Sequence, residues 1–186
     1  MSKQSFHAKL SKEISYALRH APWEYELELD QEGWVSIQQL LTSLQQSDQW
    51  TYVTAEDLQR MIELAEKKRY EINAGKIRAI YGHSVPMKIL KKEAQPPKQL
   101  YHGSSPLSTI SIKEKGLLPM ARQYVHLAVD LDTAYSVGKR KNAQPIIWRV
   151  DTEKALAEGI KFYRGNEKVW LADEIPYQFL TVYHGT

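Results

Sequence analysis

The sequence predicts an α+β protein with a helical first half and a strand-rich second half. Three observations predict it. Three amphipathic stretches with helical spacing lie before residue 66, and a strand–turn–strand pattern follows them. After the Pro96-Pro97 pair the texture changes to short apolar runs separated by small helices.

In the first half, Leu10, Ile14, Ala17 and Leu18 fall on one helical face, and Pro22 ends the pattern. Leu27 and Leu29 alternate with charged neighbours, which predicts a short strand before a turn at Gly33. Ile37, Leu40, Leu41 and Leu44 mark a second helix capped by Ser36. A third runs through Leu58, Met61, Ile62 and Ala65, opened by Thr54 with Asp57 three residues on. Tyr70 to Ile72 and Lys76 to Ile80 flank Asn73-Ala74-Gly75 as a hairpin. Three helices closed by a hairpin is the layout of a winged helix, more often a binding fold than a catalytic one.

Residues 88–99 combine a charge run with Pro96-Pro97 and read as a linker. The expected division is 1–90, a linker at 91–99, and 100–186. Strands are expected at 100–102, 124–129, 146–150, 160–163 and 169–172, in a small, mostly antiparallel sheet. Between them come a helix capped by Ser105 with Pro106 in its first turn and stopped at Gly116, and another capped by Asp151 and stopped at Gly159. The recurrence of Tyr101-His102-Gly103 as Tyr183-His184-Gly185 reads as chance, because no helix follows the second copy.

Composition narrows the class. Hydrophobic content of 42% and charged content of 25% suit a globular chain able to bury a core. The absence of cysteine excludes disulfides and thiolate metal sites. The N-terminal Met1-Ser2-Lys3-Gln4-Ser5 leads into an amphipathic stretch without a signal core, and no run reaches membrane-spanning length. A cytoplasmic, non-membrane protein is expected, and a monomer, since no long apolar interface stripe stands out. Lys and Arg balance Asp and Glu at 13 each in residues 1–95, against 12 and 9 in residues 96–186, so the net charge of +3 belongs to the second half. Bulk charge therefore cannot carry a nucleic-acid interaction in the first half; only local clustering can.

Such clusters exist. Arg19-His20 ends the first helix, Lys67-Lys68-Arg69 ends the third, and Gly82-His83-Ser84 follows the hairpin. Cations at a helix C-terminus also serve simply to relieve its dipole, and each motif alone is open to that reading. Guanidinium groups nevertheless suit phosphate, as a flat and permanently charged fork of donors. In the second half, His102-Gly103-Ser104 stands at a strand end, where the glycine permits close approach and its neighbours offer polar anchors. His126 alternates with Val125 and Leu127 on a strand, a setting in which a histidine is more often structural. No metal-ligand spacing, dinucleotide fingerprint, phosphate loop or nucleophile elbow occurs.

In order along residues 10–180, these segments resemble the RNA 2'-phosphotransferase family. The matching pieces are Leu10-Ser11-Lys12 through Arg19-His20, Leu29-Asp30 with Gly33-Trp34, Lys67-Lys68-Arg69-Tyr70, Ile77-Arg78-Ala79 and Gly82-His83-Ser84. Leu100 to Ser104, Gly116-Leu117 through Pro119-Met120 to Arg122, Val125-His126-Leu127, Gly159 to Tyr163 and Val169-Trp170-Leu171 complete the set. The resemblance implies an N-terminal winged-helix RNA-binding lobe and a C-terminal NAD-binding lobe of the ADP-ribosyltransferase type. It implies a metal-free reaction with NAD as co-substrate, in which an internal RNA 2'-phosphate, such as that left at a tRNA splice junction, is removed. The route passes through RNA-2'-phospho-ADP-ribose and a transesterification. The products are RNA with a free 2'-hydroxyl, ADP-ribose 1'',2''-cyclic phosphate and nicotinamide.

The resemblance also carries residues over. Arg19, His20, Arg69 and Arg122 correspond to the catalytic quartet, with Arg19 and Arg69 clamping RNA phosphates, His20 contacting the same region and Arg122 acting on the reacting phosphate. His102, Gly103, Ser104, His126 and Val169 correspond to the NAD pocket. Arg78, His83 and Ser84 are further candidates for RNA contact. Ser104 stands where relatives commonly have threonine, which keeps the hydroxyl. Val169 stands where protein-modifying ADP-ribosyltransferases often carry glutamate, and Glu167, Asp173 and Glu174 lie near it in sequence. Two other readings are an ADP-ribosyltransferase acting on protein or on a terminal nucleic-acid phosphate, and a non-catalytic winged-helix nucleic-acid-binding protein.

Overall fold

Apolar spacing sets the first helix, α1 (Lys3–Arg19), whose Leu10, Ile14, Ala17 and Leu18 are fully buried. Each such leucine or isoleucine contributes about 1.5–3 kcal/mol relative to exposure. The structure is a computed structural model describing residues 3–185, with side chains from Ser5 onward. Met1 and Ser2, where the signal-free N-terminus was read, lie outside the described residues. The chain divides into two compact units, Met1–Leu90 and Lys91–Thr186.

In the first unit, Pro22–Tyr25 forms a single 3-10 turn closed by a left-handed Glu26. The strand expected at Leu27 and Leu29 does not form. Instead the Asp30 carboxylate accepts from the backbone N–H groups of Glu32 and Trp34, at 3.0 and 2.9 Å, which winds the chain into a turn. The strand comes later, as β1 (Val35–Ser36). Ser36 caps α2 (Ile37–Leu44), and Thr54 with Asp57 forms a reciprocal capping box on α3 (Ala55–Glu63). That helix ends before Ala65.

The hairpin consists of β2 (Tyr70–Asn73) and β3 (Lys76–Ala79). Ala74 and Gly75 both have positive φ, 47° and 75°, the twist a two-residue hairpin turn requires. All pairs in the sheet β1-β3-β2 are antiparallel. Its core gathers the apolar faces of α1, α2 and α3 with Tyr70, Ile77 and Ala79.

The second unit holds β4 (Gln99–Ser104), α4 (Thr109–Lys115), β5 (Val125–Ala128), α5 (Leu131–Gly138) and β6 (Ile146–Asp151). It continues with α6 (Thr152–Ala157), β7 (Phe162–Arg164), β8 (Val169–Ala172) and β9 (Leu180–Val182). These strands form one antiparallel sheet, in the order β7-β8-β5-β4-β6-β9. Leu100, Val125, Leu127, Trp148, Val150 and Ala172 from its strands join the main core with Ile112 of α4 and Ala155 of α6. Ala134 of α5 packs with Ala128 and Ile147 in a separate, smaller cluster.

The segment 91–99, read as a linker, is tied to this unit. The Ala94 amide donates to the Phe162 carbonyl at 2.9 Å, and the Thr152 hydroxyl donates to the Pro97 carbonyl at 2.5 Å. Pro-Pro and charge do disfavour regular structure here, but backbone groups beside a core still find partners. Sequence reasoning did not anticipate α5 or β9. The protein is thus α+β with two antiparallel sheets.

Candidate functional site

The first unit gathers cationic groups where α1 ends and the hairpin strands leave the sheet. Arg19 is the last residue of α1, and its carbonyl accepts from the Ser84 amide at 2.9 Å. Its guanidinium carbon lies 5.7 Å from the Tyr70 ring centroid and 5.6 Å from that of Tyr81. A third contact is Gly82, where an added Cβ would stand 3.6 Å from Nη1. Arg19 Nη2 also donates, at 3.5 Å, to the carbonyl of Arg69, which accepts from the Ile80 amide as well. Two aromatic faces and a glycine therefore surround this side chain, and each of the two cation–π contacts contributes about 0.5–1 kcal/mol at a partly exposed site.

The neighbouring His20 is exposed, and its Nδ1 shares a 2.8 Å hydrogen bond with the Ser84 hydroxyl. Arg69 is half-buried and lines, with His20, a groove of about 590 Å³ along α1. Arg19, His20, Arg69 and Ser84 are thus brought together.

Two expected RNA contacts are placed differently. Arg78 lies on β3 beside its cross-strand partner Glu71, on the face opposite buried Ile77 and Ala79. It ion-pairs with Glu71 and, at 3.2 Å, with Glu32, while its guanidinium carbon sits 4.4 Å above the Trp34 ring. Two carboxylates already compete for any phosphate this arginine would bind. His83 is only 3% exposed and packs against Gly33, where an added Cβ would stand 3.4 Å from Nε2. Burial removes it from the surface an RNA strand would meet.

In the second unit, β4 and β5 share a single paired position, Tyr101 with Ala128, whereas β4 pairs with β6 at six. A side chain takes over where the ladder stops. His102 Nδ1 donates to the His126 carbonyl at 2.9 Å, and Arg122 Nη1 donates to His126 Nδ1 at 2.6 Å. Burial holds the His102 pKa down to about 4 from the ordinary 6.5, partly offset by its bond to the His126 carbonyl, with Lys141 and Arg122 lowering it further. His102 is therefore neutral at pH 7, with its proton on Nδ1 and a lone pair on Nε2. Arg122 is exposed and stands in the turn after Pro119, whose carbonyl accepts the Arg122 amide at 3.1 Å.

The other residues of the expected NAD pocket have identifiable neighbours. Ser104 is buried, and its hydroxyl accepts from the Trp148 indole at 2.9 Å. Gly103 permits a close approach, but by α5: an added Cβ would fall on the Ala134 carbonyl oxygen and against Gly138. Val169 is half-buried, and its amide donates to Asn166 Oδ1 at 2.8 Å. Asp173 accepts from the Tyr163 hydroxyl at 2.7 Å. Sequence reasoning missed Tyr70, Tyr81 and Gly82 as the seat of Arg19, and Trp148 as the partner of Ser104. Adjacency of Tyr70 to Arg69 and of Gly82 to His83 was the only available signal.

Among the described residues, no group of three or more His, Cys, Asp or Glu side chains could hold a metal ion. No helix among them is long and apolar enough to cross a membrane.

The sequence model described as "RNA 2'-phosphotransferase, Tpt1 / KptA family" matches residues 5–174. A Bacillus thuringiensis subsp. konkukian protein named "Probable RNA 2'-phosphotransferase" is 62% identical over 182 residues, 98% of each chain. One of the same name from Acetivibrio thermocellus is 58% identical, covering 94% of this chain and 96% of that one. A third, from Pyrococcus horikoshii, is 39% identical over 90% of this chain and 94% of its own. With its residues 5–174 matched and relatives this similar along nearly their whole length, the chain belongs to the RNA 2'-phosphotransferase, Tpt1 / KptA family.

Proposed function

We propose that this protein is an enzyme that removes an internal 2'-phosphate from RNA with NAD as co-substrate. The products are 2'-hydroxyl RNA, ADP-ribose 1'',2''-cyclic phosphate and nicotinamide. The observation that carries the reading is the hydrogen-bonded chain Arg122–His126–His102. It offers a fixed guanidinium, suited to phosphate, beside a neutral imidazole whose free lone pair suits a ribose hydroxyl. Those two kinds of group are what a transfer between RNA phosphate and a dinucleotide ribose requires.

The fold reading belongs to the same proposal. Helices α1 to α3 closed by β2 and β3 are read as a winged-helix RNA-binding lobe, and the six-stranded unit as an ADP-ribosyltransferase-like NAD lobe. RNA from tRNA splicing is one source of the substrate.

NAD supplies an electrophilic ribose carbon with nicotinamide as its leaving group. The RNA 2'-phosphate is already anionic at neutral pH and needs no protein base to attack. Arg19, seated between Tyr70 and Tyr81, and Arg69 hold that phosphate and orient it. His20, fixed by Ser84, contacts the same substrate region. In the transesterification the neighbouring 2''-hydroxyl of the ADP-ribose attacks the phosphorus as the bond to the RNA 2'-oxygen breaks, and the proton lost by the one oxygen is gained by the other. Arg122, oriented by His126, stabilises the charge on the phosphate in that step. His102 accepts from a ribose hydroxyl of NAD, and Gly103, Ser104 and Val169 shape that part of the site. An apolar Val169 is compatible with a nucleophile that needs no activating carboxylate.

The test is incubation of the protein with NAD and an RNA bearing one internal 2'-phosphate, without added metal, followed by mass analysis of RNA and nucleotide products. The proposal expects loss of the phosphate with a cyclic phosphate of ADP-ribose. ADP-ribose transferred to protein or to an RNA end, or RNA bound and unchanged, would refute it.

A further inference from the structure

A groove in the first unit extends beyond the cationic cluster. It has a volume of about 590 Å³ and is bounded along one wall by His7, Ser11 and Ser15 and by Lys12, Tyr16 and His20. Both sets recur every four residues, so they form adjacent rows on one face of α1. From His7 to His20 the wall is about 20 Å long, several stacked nucleotides at about 3.4 Å each. Met61, Leu64 and Ala65 supply an apolar part of the lining, and Arg69 and Tyr70 complete it.

The Tyr70 hydroxyl donates to the Ser11 carbonyl at 2.6 Å, which ties β2 to the α1 wall. The chemistry of the groove is two-sided. Met61, Leu64 and Ala65 give one apolar wall, and Leu64 is 69% exposed. Tyr16 is 43% exposed, and its hydroxyl donates to Glu24 at 2.9 Å, which turns the polar end away and leaves ring surface at the groove. Among the described residues, the charged ones lining the groove are Lys12 and Arg69, both cationic, and none is acidic.

We propose that this groove holds the single-stranded RNA next to the 2'-phosphorylated nucleotide. Bases lie against the Leu64–Ala65 wall and the Tyr16 ring, and Lys12 meets a backbone phosphate. Charge complementarity narrows the occupant: a cationic slot without carboxylates repels a basic peptide, and its apolar wall and hydroxyl rims match a polyanion carrying flat apolar bases. Continuity supports it, because Arg69 and His20 line the groove and also stand among the residues proposed to hold the 2'-phosphate. The inference rests on the proposed function and adds to it a length-dependent RNA subsite.

The test compares a 2'-phosphorylated dinucleotide with a 2'-phosphorylated hexanucleotide, measuring for each both binding and phosphate removal with NAD. The wild-type protein is expected to bind the hexanucleotide at least tenfold more tightly. In Lys12→Glu and Ser15→Trp variants, which reverse the charge and fill the groove, that advantage is expected to shrink to threefold or less. Unchanged thermal unfolding of the variants shows that they fold. A length advantage equal to wild type in both folded variants, or no length advantage in wild type, overturns the groove assignment while phosphate removal leaves the proposed activity standing. Wild-type protein that removes phosphate from neither RNA overturns the activity, and the groove assignment with it.

Discussion

Arg122 is anchored to His126, Nη1 donating to Nδ1 across 2.6 Å. An exposed arginine ordinarily samples many rotamers, and this contact restricts it to one region at the edge of β5.

His126→Ala should therefore lower kcat about tenfold without removing any charge. Arg122→Ala should lower it about a hundredfold or more, the scale of losing one preorganised donor to a charged transition state. Because the two act as a unit, the double variant should fall within threefold of Arg122→Ala. Turnover should fall more than RNA affinity. Strictly multiplicative losses, or an affinity change alone, would contradict this role.

Arg19→Ala and Arg69→Ala should each cost about 3–5 kcal/mol in phosphate removal, the usual scale for stripping one partner from a desolvated charge pair. Arg78→Ala should change RNA affinity less than threefold and cost about 1 kcal/mol of stability, through its lost contacts with Glu71, Glu32 and Trp34. Titration with labelled RNA and denaturant unfolding separate the two effects. A tenfold affinity loss for Arg78→Ala would return it to the RNA-binding set.

The depressed His102 pKa gives stability a pH dependence. Its folded value is about 4 against an ordinary 6.5, so the unfolded chain takes up the proton first as pH falls. Stability from this group is complete above about pH 6.5 and is lost between there and about pH 4, at up to about 1.4 kcal/mol per pH unit. Denaturant unfolding at pH 7 and pH 5 should show a smaller drop for His102→Asn, which retains a donor and does not titrate. An equal drop in both proteins would exclude His102 as the source.

Gly103→Ala tests the approach of α5 to β4. The new Cβ would meet the Ala134 carbonyl and Gly138, which are backbone atoms and cannot swing aside. Overpacking of this kind costs about 1–3 kcal/mol. Thermal unfolding should show that loss whether or not NAD is present. A variant as stable as wild type would mean that the helix can withdraw freely.

What the sequence made legible was local chemistry. Ser36, Thr54 with Asp57 and Asp151 cap helices as expected, and Ser105 caps the 3-10 turn Pro106–Ser108 that leads into α4, because a cap needs only neighbours two or three residues away. Asp130 sent the same signal for α5, accepting from the Thr133 amide, and was overlooked. The Leu27–Leu29 alternation misled because Asp30 offered the backbone a turn in place of a ladder partner.

Register was harder to see. Arg78 faces Glu71 only once the Ala74-Gly75 turn fixes the hairpin, and His102 reaches the His126 carbonyl only because the β4–β5 ladder stops at Tyr101. Gly103 was legible as a point of close approach, but its visitor, α5, came from a helix not anticipated. The Arg19 seat joins residues 50 or more positions apart, a distance over which spacing carries no information.

The central claim is that removal of the RNA phosphate and consumption of NAD are one reaction. Its most direct test counts nicotinamide released against 2'-phosphate lost, in a single reaction with limiting NAD. The account predicts one nicotinamide per phosphate removed, and no removal once NAD is spent. Phosphate lost without NAD, or nicotinamide released while the RNA keeps its phosphate, would contradict it.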